Sequence, residues 1–200
     1  MTTKRPAKKT AKKTAKRTIP RTQKIKQADP QGPLRVDLAC GQRLEEGWVG
    51  VDIAPLPGVQ IVHNLEEHPW PIASDSVDEV RCSHFVEHVH DLIGFMNDLH
   101  RIMKPGAQAN IVTPYYTSVR AFQDPTHVRF ISEHSYLYFN QEWLRNNGLD
   151  HYGITADFDF GYGYQITDPT WQSRNEEARL FAIRHYWNIV DDLIVTLTKR

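Results

Sequence analysis

Short apolar runs alternate with stretches of helical spacing over most of this chain. Residues 34–38 form an apolar run of buried-strand character, stopped by Gly41. Residues 48–53 form a second, stopped by Pro55 and Pro57, and residues 59–63 a third. Residues 76–82 carry Val77 and Val80 as a fourth strand. Over residues 85–103 the period changes: Phe85, Val89, Leu92, Met96, Leu99 and Met103 recur at helical spacing, and Pro105 with Gly106 ends the stretch. Residues 109–113, closed by Pro114, read as a fifth strand. Strands alternating with helical stretches predict an α/β domain with a doubly wound, mostly parallel sheet. Near the C-terminus, residues 157–166 alternate Phe158, Phe160, Tyr162 and Tyr164, residues 175–189 are helical in character, and residues 192–198 place Leu193, Val195 and Leu197 on one strand face. A strand–helix–strand ending predicts an antiparallel C-terminal edge strand.

The N-terminus does not share this pattern. Residues 6–18 repeat Lys, Ala and Thr with a four-residue period, and residues 1–28 hold eleven basic residues and no acid. Such a segment cannot bury enough apolar surface to offset its ordering entropy, so residues 1–33 are expected to be a disordered tail and linker ahead of a domain at 34–200. The net charge of zero therefore divides into a basic tail and a body, residues 29–200, of net charge −11. An acidic body disfavours nucleic-acid binding on the domain itself, whereas residues 4–26 suit a nucleic acid or another polyanion. Two cysteines, Cys40 and Cys82, do not make a disulfide framework. No apolar run is long enough to span a membrane and no apolar segment follows the basic start, so a cytoplasmic protein with no membrane partner is expected.

A strand that runs into a Gly-bearing turn, followed by an acid at the end of the next strand, is the usual shape of a nucleotide-like site. Glycine admits the ligand to the backbone, and the acid accepts ribose hydroxyls. Asp37-Leu38-Ala39-Cys40-Gly41 and Gly50-Val51-Asp52-Ile53 have that arrangement.

From Val36 to Pro114 further segments keep the same order: Val62-His63-Asn64-Leu65, then Trp70-Pro71-Ile72-Ala73-Ser74-Asp75-Ser76-Val77-Asp78, Ser83-His84-Phe85-Val86-Glu87-His88, and Leu99-His100-Arg101-Ile102-Met103-Lys104-Pro105-Gly106. Together they resemble the class I S-adenosylmethionine-dependent methyltransferases of the small, type 11-like group, over about 80 of the 200 residues. The resemblance implies a Rossmann-like fold, S-adenosylmethionine as cofactor and an unidentified methyl acceptor. It implies that Asp37, Ala39 and Gly41 face the methionine part of the cofactor, that Asp52 holds the ribose, that Asn64 and Leu65 meet the adenine, and that Ser83 sits beside the sulfonium. Two features depart from the family pattern. Ala39 stands where the family's first glycine is usual and Arg43 occupies the second position after Gly41, and ten residues between Gly41 and Asp52 are too few for a helix between the first two strands.

On the acceptor side, Asp124 and His127 form a candidate acid–base pair, Arg129 a candidate clamp for an anionic acceptor, and Tyr115 a candidate lining residue. The alternative for this segment is an Asp-Pro turn tied to the body by His127 and Arg129. His84-Phe85-Val86-Glu87-His88 also matches the H-x-x-E-H zinc-peptidase pattern, with Glu133, Glu176 and Glu177 as third-ligand candidates. Its position directly after a strand favours a structural role, and no metal is expected. Two functions remain: a methyltransferase, or a catalytically silent methyltransferase-like protein with a nucleic-acid-binding tail. The zinc peptidase is a remote third.

Overall fold

The computed structural model describes residues 32–200. The expected tail and linker, 1–33, thus lie outside the described residues except for their last two positions. Seven strands form one sheet: β1 (Arg35–Leu38), β2 (Val49–Asp52), β3 (Val59–Val62), β4 (Val77–Ser83), β5 (Met103–Pro114), β6 (Phe158–Gln165) and β7 (Asp192–Lys199), in the order β3-β2-β1-β4-β5-β7-β6. β1 to β5 pair in parallel, and β7 runs antiparallel to both β5 and β6. The C-terminal strand is antiparallel as the pattern predicts, and it is seated between β5 and the outermost strand β6. The chain leaves β1 in one direction to β2 and β3 and returns on its other side to β4. That reversal opens a crevice at the carboxyl ends of β1 and β4.

Register places Val36, Leu38, Val51, Val80, Cys82, Ala109, Ile111, Val195 and Leu197 on one face, and all are buried. Helix α1 (Leu92–Ile102) contributes Phe95, Met96, Leu99 and Ile102 to the same core. The opposite face carries Arg35, Glu79, Arg81, Gln108, Asn110, Thr196, Thr198 and Asp159, all exposed or half-buried. No helix occurs in the β1–β2, β2–β3 or β3–β4 connections. Gly50 lets the first of these fold back tightly: a Cβ there would meet Cys40 Sγ at 2.7 Å and a Leu44 methyl at 3.1 Å.

The helix expected over 85–103 is divided. Val86–His88 form a single 3-10 turn, Val89 is extended, and α1 begins only after Asp91, whose carboxylate accepts the Gly94 N–H at 2.9 Å. Asp91 is the N-cap that the periodicity overlooks, and His84, at φ 53°, bars a helix from starting at the strand end. At the other end Met103 is already extended, so Pro105 and Gly106 lie inside β5 and mark an irregularity in its pairing with β4. The short helices α2 (Val119–Gln123), α3 (Gln141–Asn146) and α4 (Pro169–Gln172) are too brief for a period to reveal, while α5 (Glu176–His185) falls where the pattern puts it.

Candidate active site

A cavity of about 480 Å³ opens at the carboxyl ends of β1, β4 and β5. Of the residues singled out in the sequence, Asp37, Ala39 and Ser83 line it and Gly41 and Asp52 do not; Cys40, Arg43, Glu45, Arg81 and His84 complete the wall. Asp37 is buried, and its carboxylate accepts Arg81 Nη2 at 2.8 Å. Arg81 also pairs with Glu45 at 2.7 Å and lies over the Trp48 ring at 4.6 Å from its centroid. The cavity thus presents both signs of charge within a few ångströms. Arg81 escaped the sequence reading, although its alternation with Val80 and Cys82 marks it as belonging to the polar face. Burial, then Asp37 and Asp52, raise the Cys40 thiol above its usual value, so it stays protonated.

Ala39 adopts φ 55°, the left-handed conformation that favours glycine, and Gly41 has the same φ. The loop therefore keeps the backbone shape that a glycine at position 39 would give it. The Gly41 N–H donates to Asp52 Oδ2 at 2.9 Å, and Ala54 N–H donates to Asp52 Oδ1 at 2.9 Å. Asp52 ends β2, and both its oxygens shape the surrounding loops while retaining lone pairs for further donors. Asn64 and Leu65 do not line this cavity. Asn64 turns its side chain to the Glu66 N–H and to Glu67, and Leu65 is buried beneath Trp70, whose indole donates to the Leu65 carbonyl at 3.1 Å.

Beyond the end of β4 the expected Asp124–His127 dyad is not formed. Asp124 Oδ1 accepts the Thr126 N–H at 2.8 Å and the Thr126 hydroxyl at 2.7 Å, while His127 Nδ1 donates to the Ala121 carbonyl at 2.9 Å. The His127 ring turns instead toward Glu87. Arg129 is not a clamp for an anion: its Nε donates to the Val89 carbonyl at 2.6 Å and its Nη2 to the His90 carbonyl. A guanidinium spent on two backbone carbonyls fastens its loop to the body. The peptidase geometry fails as well, because His84 and His88 flank a bend and a 3-10 turn and do not share a helix face. His84 Nδ1 lies 3.5 Å from Glu87 Oε1, and that carboxylate raises the imidazole's affinity for a proton against the opposing effect of burial.

A second cavity, of about 590 Å³, is lined by Tyr115, Tyr116, Tyr162, Tyr164, Phe130 and Glu133 with residues of α5. Burial first, and then the charge of Glu133, hold the Tyr115 and Tyr164 phenols above their usual values, so both remain neutral donors. Tyr115 lies in the wall of this cavity, beyond the end of β5.

Residues 36–111 match the model of the methyltransferase domain family. No curated protein sequence matches the chain. Among solved structures, the chain is similar to a SAM-dependent methyltransferase from Archaeoglobus fulgidus, at 20% identity and a TM-score of 0.57, over 84% of this chain and 87% of that one. It is also similar to a SAM-dependent methyltransferase, possible histamine N-methyltransferase, from Thermotoga maritima, at 15% identity and a TM-score of 0.52, over 84% and 83% of the two chains. At these identities the likeness is one of fold. The family model covers residues 36–111, and the fold is the Rossmann-like one of the class I S-adenosylmethionine-dependent methyltransferases.

Proposed function

We propose that the protein is an S-adenosylmethionine-dependent methyltransferase that holds its cofactor across the carboxyl ends of β1, β2 and β4. One observation carries this reading. The cavity at the switch point is lined by paired opposite charges, Asp37 and Glu45 against Arg81, and an acid with open lone pairs, Asp52, stands one hydrogen bond away through Gly41. A zwitterionic amino-acid end with a ribose behind it calls for that combination. Asp37 and Glu45 answer an ammonium, Arg81 and Arg43 a carboxylate, and Asp52 two ribose hydroxyls. The left-handed Ala39 and Gly41 turn the loop aside so that the ligand approaches backbone. Leu65 supports the adenine end from the core, and Asn64 stands at the turn beside it.

The cofactor supplies an activated methyl group, and its transfer is an in-line displacement in which positioning provides most of the rate. The chain's task is then to align an acceptor with Ser83 and His84 at the cavity floor. The tyrosine-lined cavity, with Tyr115 in its wall, is the site we assign to the acceptor. Neither Asp124 nor His127 lines either cavity, so neither is assigned as a base. The basic residues 4–26 are proposed to bind a nucleic acid or another polyanion, bringing the acidic body to its target.

A catalytically silent binding protein is the second reading, for which Ala39 in place of a glycine and the basic repeat of residues 6–18 speak. Calorimetry of the whole chain with S-adenosylmethionine and with its demethylated product separates the two. Saturable heat with either ligand is expected, and no heat and no thermal shift at millimolar ligand would sink the enzyme reading.

A further inference from the structure

The most conspicuous unused group lies outside both cavities and is a carboxylate oxygen. Glu87 is 2% exposed, and its Oε2 accepts the Thr113 hydroxyl at 3.1 Å. Its Oε1 is buried without a hydrogen-bond donor. His84 Nδ1 lies 3.5 Å away and His127 Nε2 4.0 Å. Leaving a buried carboxylate oxygen unmatched is expensive, and such atoms mark places where something else completes the site.

Two neighbouring imidazoles also keep lone pairs, so the missing partner they share with Oε1 is a cation. His127 Nδ1 faces the Ala121 carbonyl, which only accepts, so Nδ1 carries the proton and Nε2 keeps a lone pair. His88 Nδ1 lies 3.0 Å from Thr126 Oγ1, and that hydroxyl gives its own proton to Asp124 at 2.7 Å. His88 therefore donates through Nδ1 and also keeps its Nε2 lone pair. The two rings stand edge to face, with centroids 4.7 Å apart. Donor atoms of Glu87, His88 and His127 lie within 4.8 Å of one another. Ligand bonds of about 2.0–2.1 Å to a tetrahedral zinc ion place donors roughly 3.3 Å apart, so binding draws the three side chains together.

We propose that Glu87, His88 and His127 form a binding site for a divalent transition-metal ion of the zinc type. Two imidazoles and one carboxylate suit zinc, iron or nickel better than magnesium or calcium. The Nδ1–H bonds, to Ala121 and through Thr126 to Asp124, are the outer contacts that fix a metal-binding histidine's tautomer and orientation. The donor set differs from the one in the H-x-x-E-H pattern: His84 is not a ligand, and His127 comes from a loop nearly forty residues further on. That loop is already pinned to the turn by the Val128 and Arg129 N–H groups, which donate to the Glu87 carbonyl at 2.9 and 3.2 Å. The ion joins loop and turn side chain to side chain, next to His84 at the cavity floor. The inference does not depend on the cofactor reading.

The test uses untagged protein, residues 1–200, stripped with a chelator and dialysed. Zinc is titrated by calorimetry, and cobalt(II) is followed by visible absorption. One ion per chain and a cobalt spectrum of low coordination symmetry are expected. Joint His88→Gln and His127→Gln substitution should lower zinc affinity at least about 100-fold, while His151→Gln, at an exposed 3-10 turn, leaves it unchanged. Circular dichroism checks the fold. Should the double variant not fold, Glu87→Gln is substituted; it keeps an acceptor for Thr113 and should show the same loss. Absence of saturable binding in the parent, or parental affinity in the folded ligand variant, overturns the proposal.

Discussion

Asp52 separates a structural role from a ligand role. Its carboxylate accepts two backbone N–H groups, from Gly41 and Ala54. Asp52→Ala leaves both without a protein partner. Each half-exposed N–H recovers part of its bond from water, so the net cost is about 1 kcal/mol per bond and roughly 1–2 kcal/mol in all. For a protein of this size that lowers Tm by about 3–6 °C. The ligand role adds a separate loss. Two ribose hydroxyls donating to a charged acceptor contribute about 1.5–3 kcal/mol each, so removal of the carboxylate weakens cofactor binding by ~3 kcal/mol or more, on the order of 100-fold. Asp52→Asn keeps one oxygen and forfeits the charge. It sets an amide NH2 against one of the two N–H donors, so it should fall between parent and Ala in affinity and also lose part of the stability. Calorimetric titration with S-adenosylmethionine, paired with thermal unfolding of the same samples, reads both quantities. If Asp52→Ala loses stability yet binds the cofactor as tightly as the parent, Asp52 is only a loop strut and the ribose assignment is wrong.

Three other expectations follow from particular residues. Ala39→Val puts a β-branched side chain at a φ of 55° and should cost about 1–2 kcal/mol in urea unfolding, whereas Ala39→Gly stays within about 1 kcal/mol of the parent; equal stability of the Val variant contradicts the left-handed assignment. His100 packs against Phe158 with Nε2 buried and unpartnered, and burial first, then the charge of Lys199, lowers its proton affinity in the fold. The unfolded chain then takes up the proton first, so this contribution to stability is complete above a pH of about 6.5 and declines as pH falls below it. His100→Gln should flatten the parent's stability profile between about pH 7.5 and 5.5, and an unchanged slope in denaturant titrations would count against it. Finally, duplex DNA binding by the whole chain should weaken steeply with salt and vanish on deletion of residues 1–31; binding retained by the truncated protein would locate the polyanion site elsewhere.

Where local pattern and tertiary packing agree, the residues announce their structure. The five parallel strands follow from short apolar runs and the buried stripe Leu193, Val195 and Leu197 from alternation, and the shortage of residues between Gly41 and Asp52 forecasts the missing helix. The helical reading across Phe85 and Val89 fails because both residues are apolar for a reason other than helix packing: they lie in and beside a turn that buries them against the core. In the candidate site, Asp37, Ala39 and Ser83 meet in one cavity because all three sit at strand ends, a placement that strand prediction carries with it. Arg129 and His127 were legible as chemistry but not as geometry. Which acceptor a guanidinium or an imidazole finds depends on loops adjoining in space, here Val89, His90 and Ala121. The Glu87–His88–His127 grouping was hidden for the same reason, its members being divided between a turn and a distant loop.

The polar face of the sheet has a consequence for how stability varies with temperature. Heat capacity rises on unfolding because apolar surface is hydrated, and polar surface works in the opposite direction. A sheet whose second face is built from Arg35, Glu79, Arg81, Gln108, Asn110, Thr196 and Thr198 withdraws little apolar area from water on that side. For the described residues, 32–200, the curve of free energy against temperature is accordingly flatter than for a domain of equal length with both faces packed under helices.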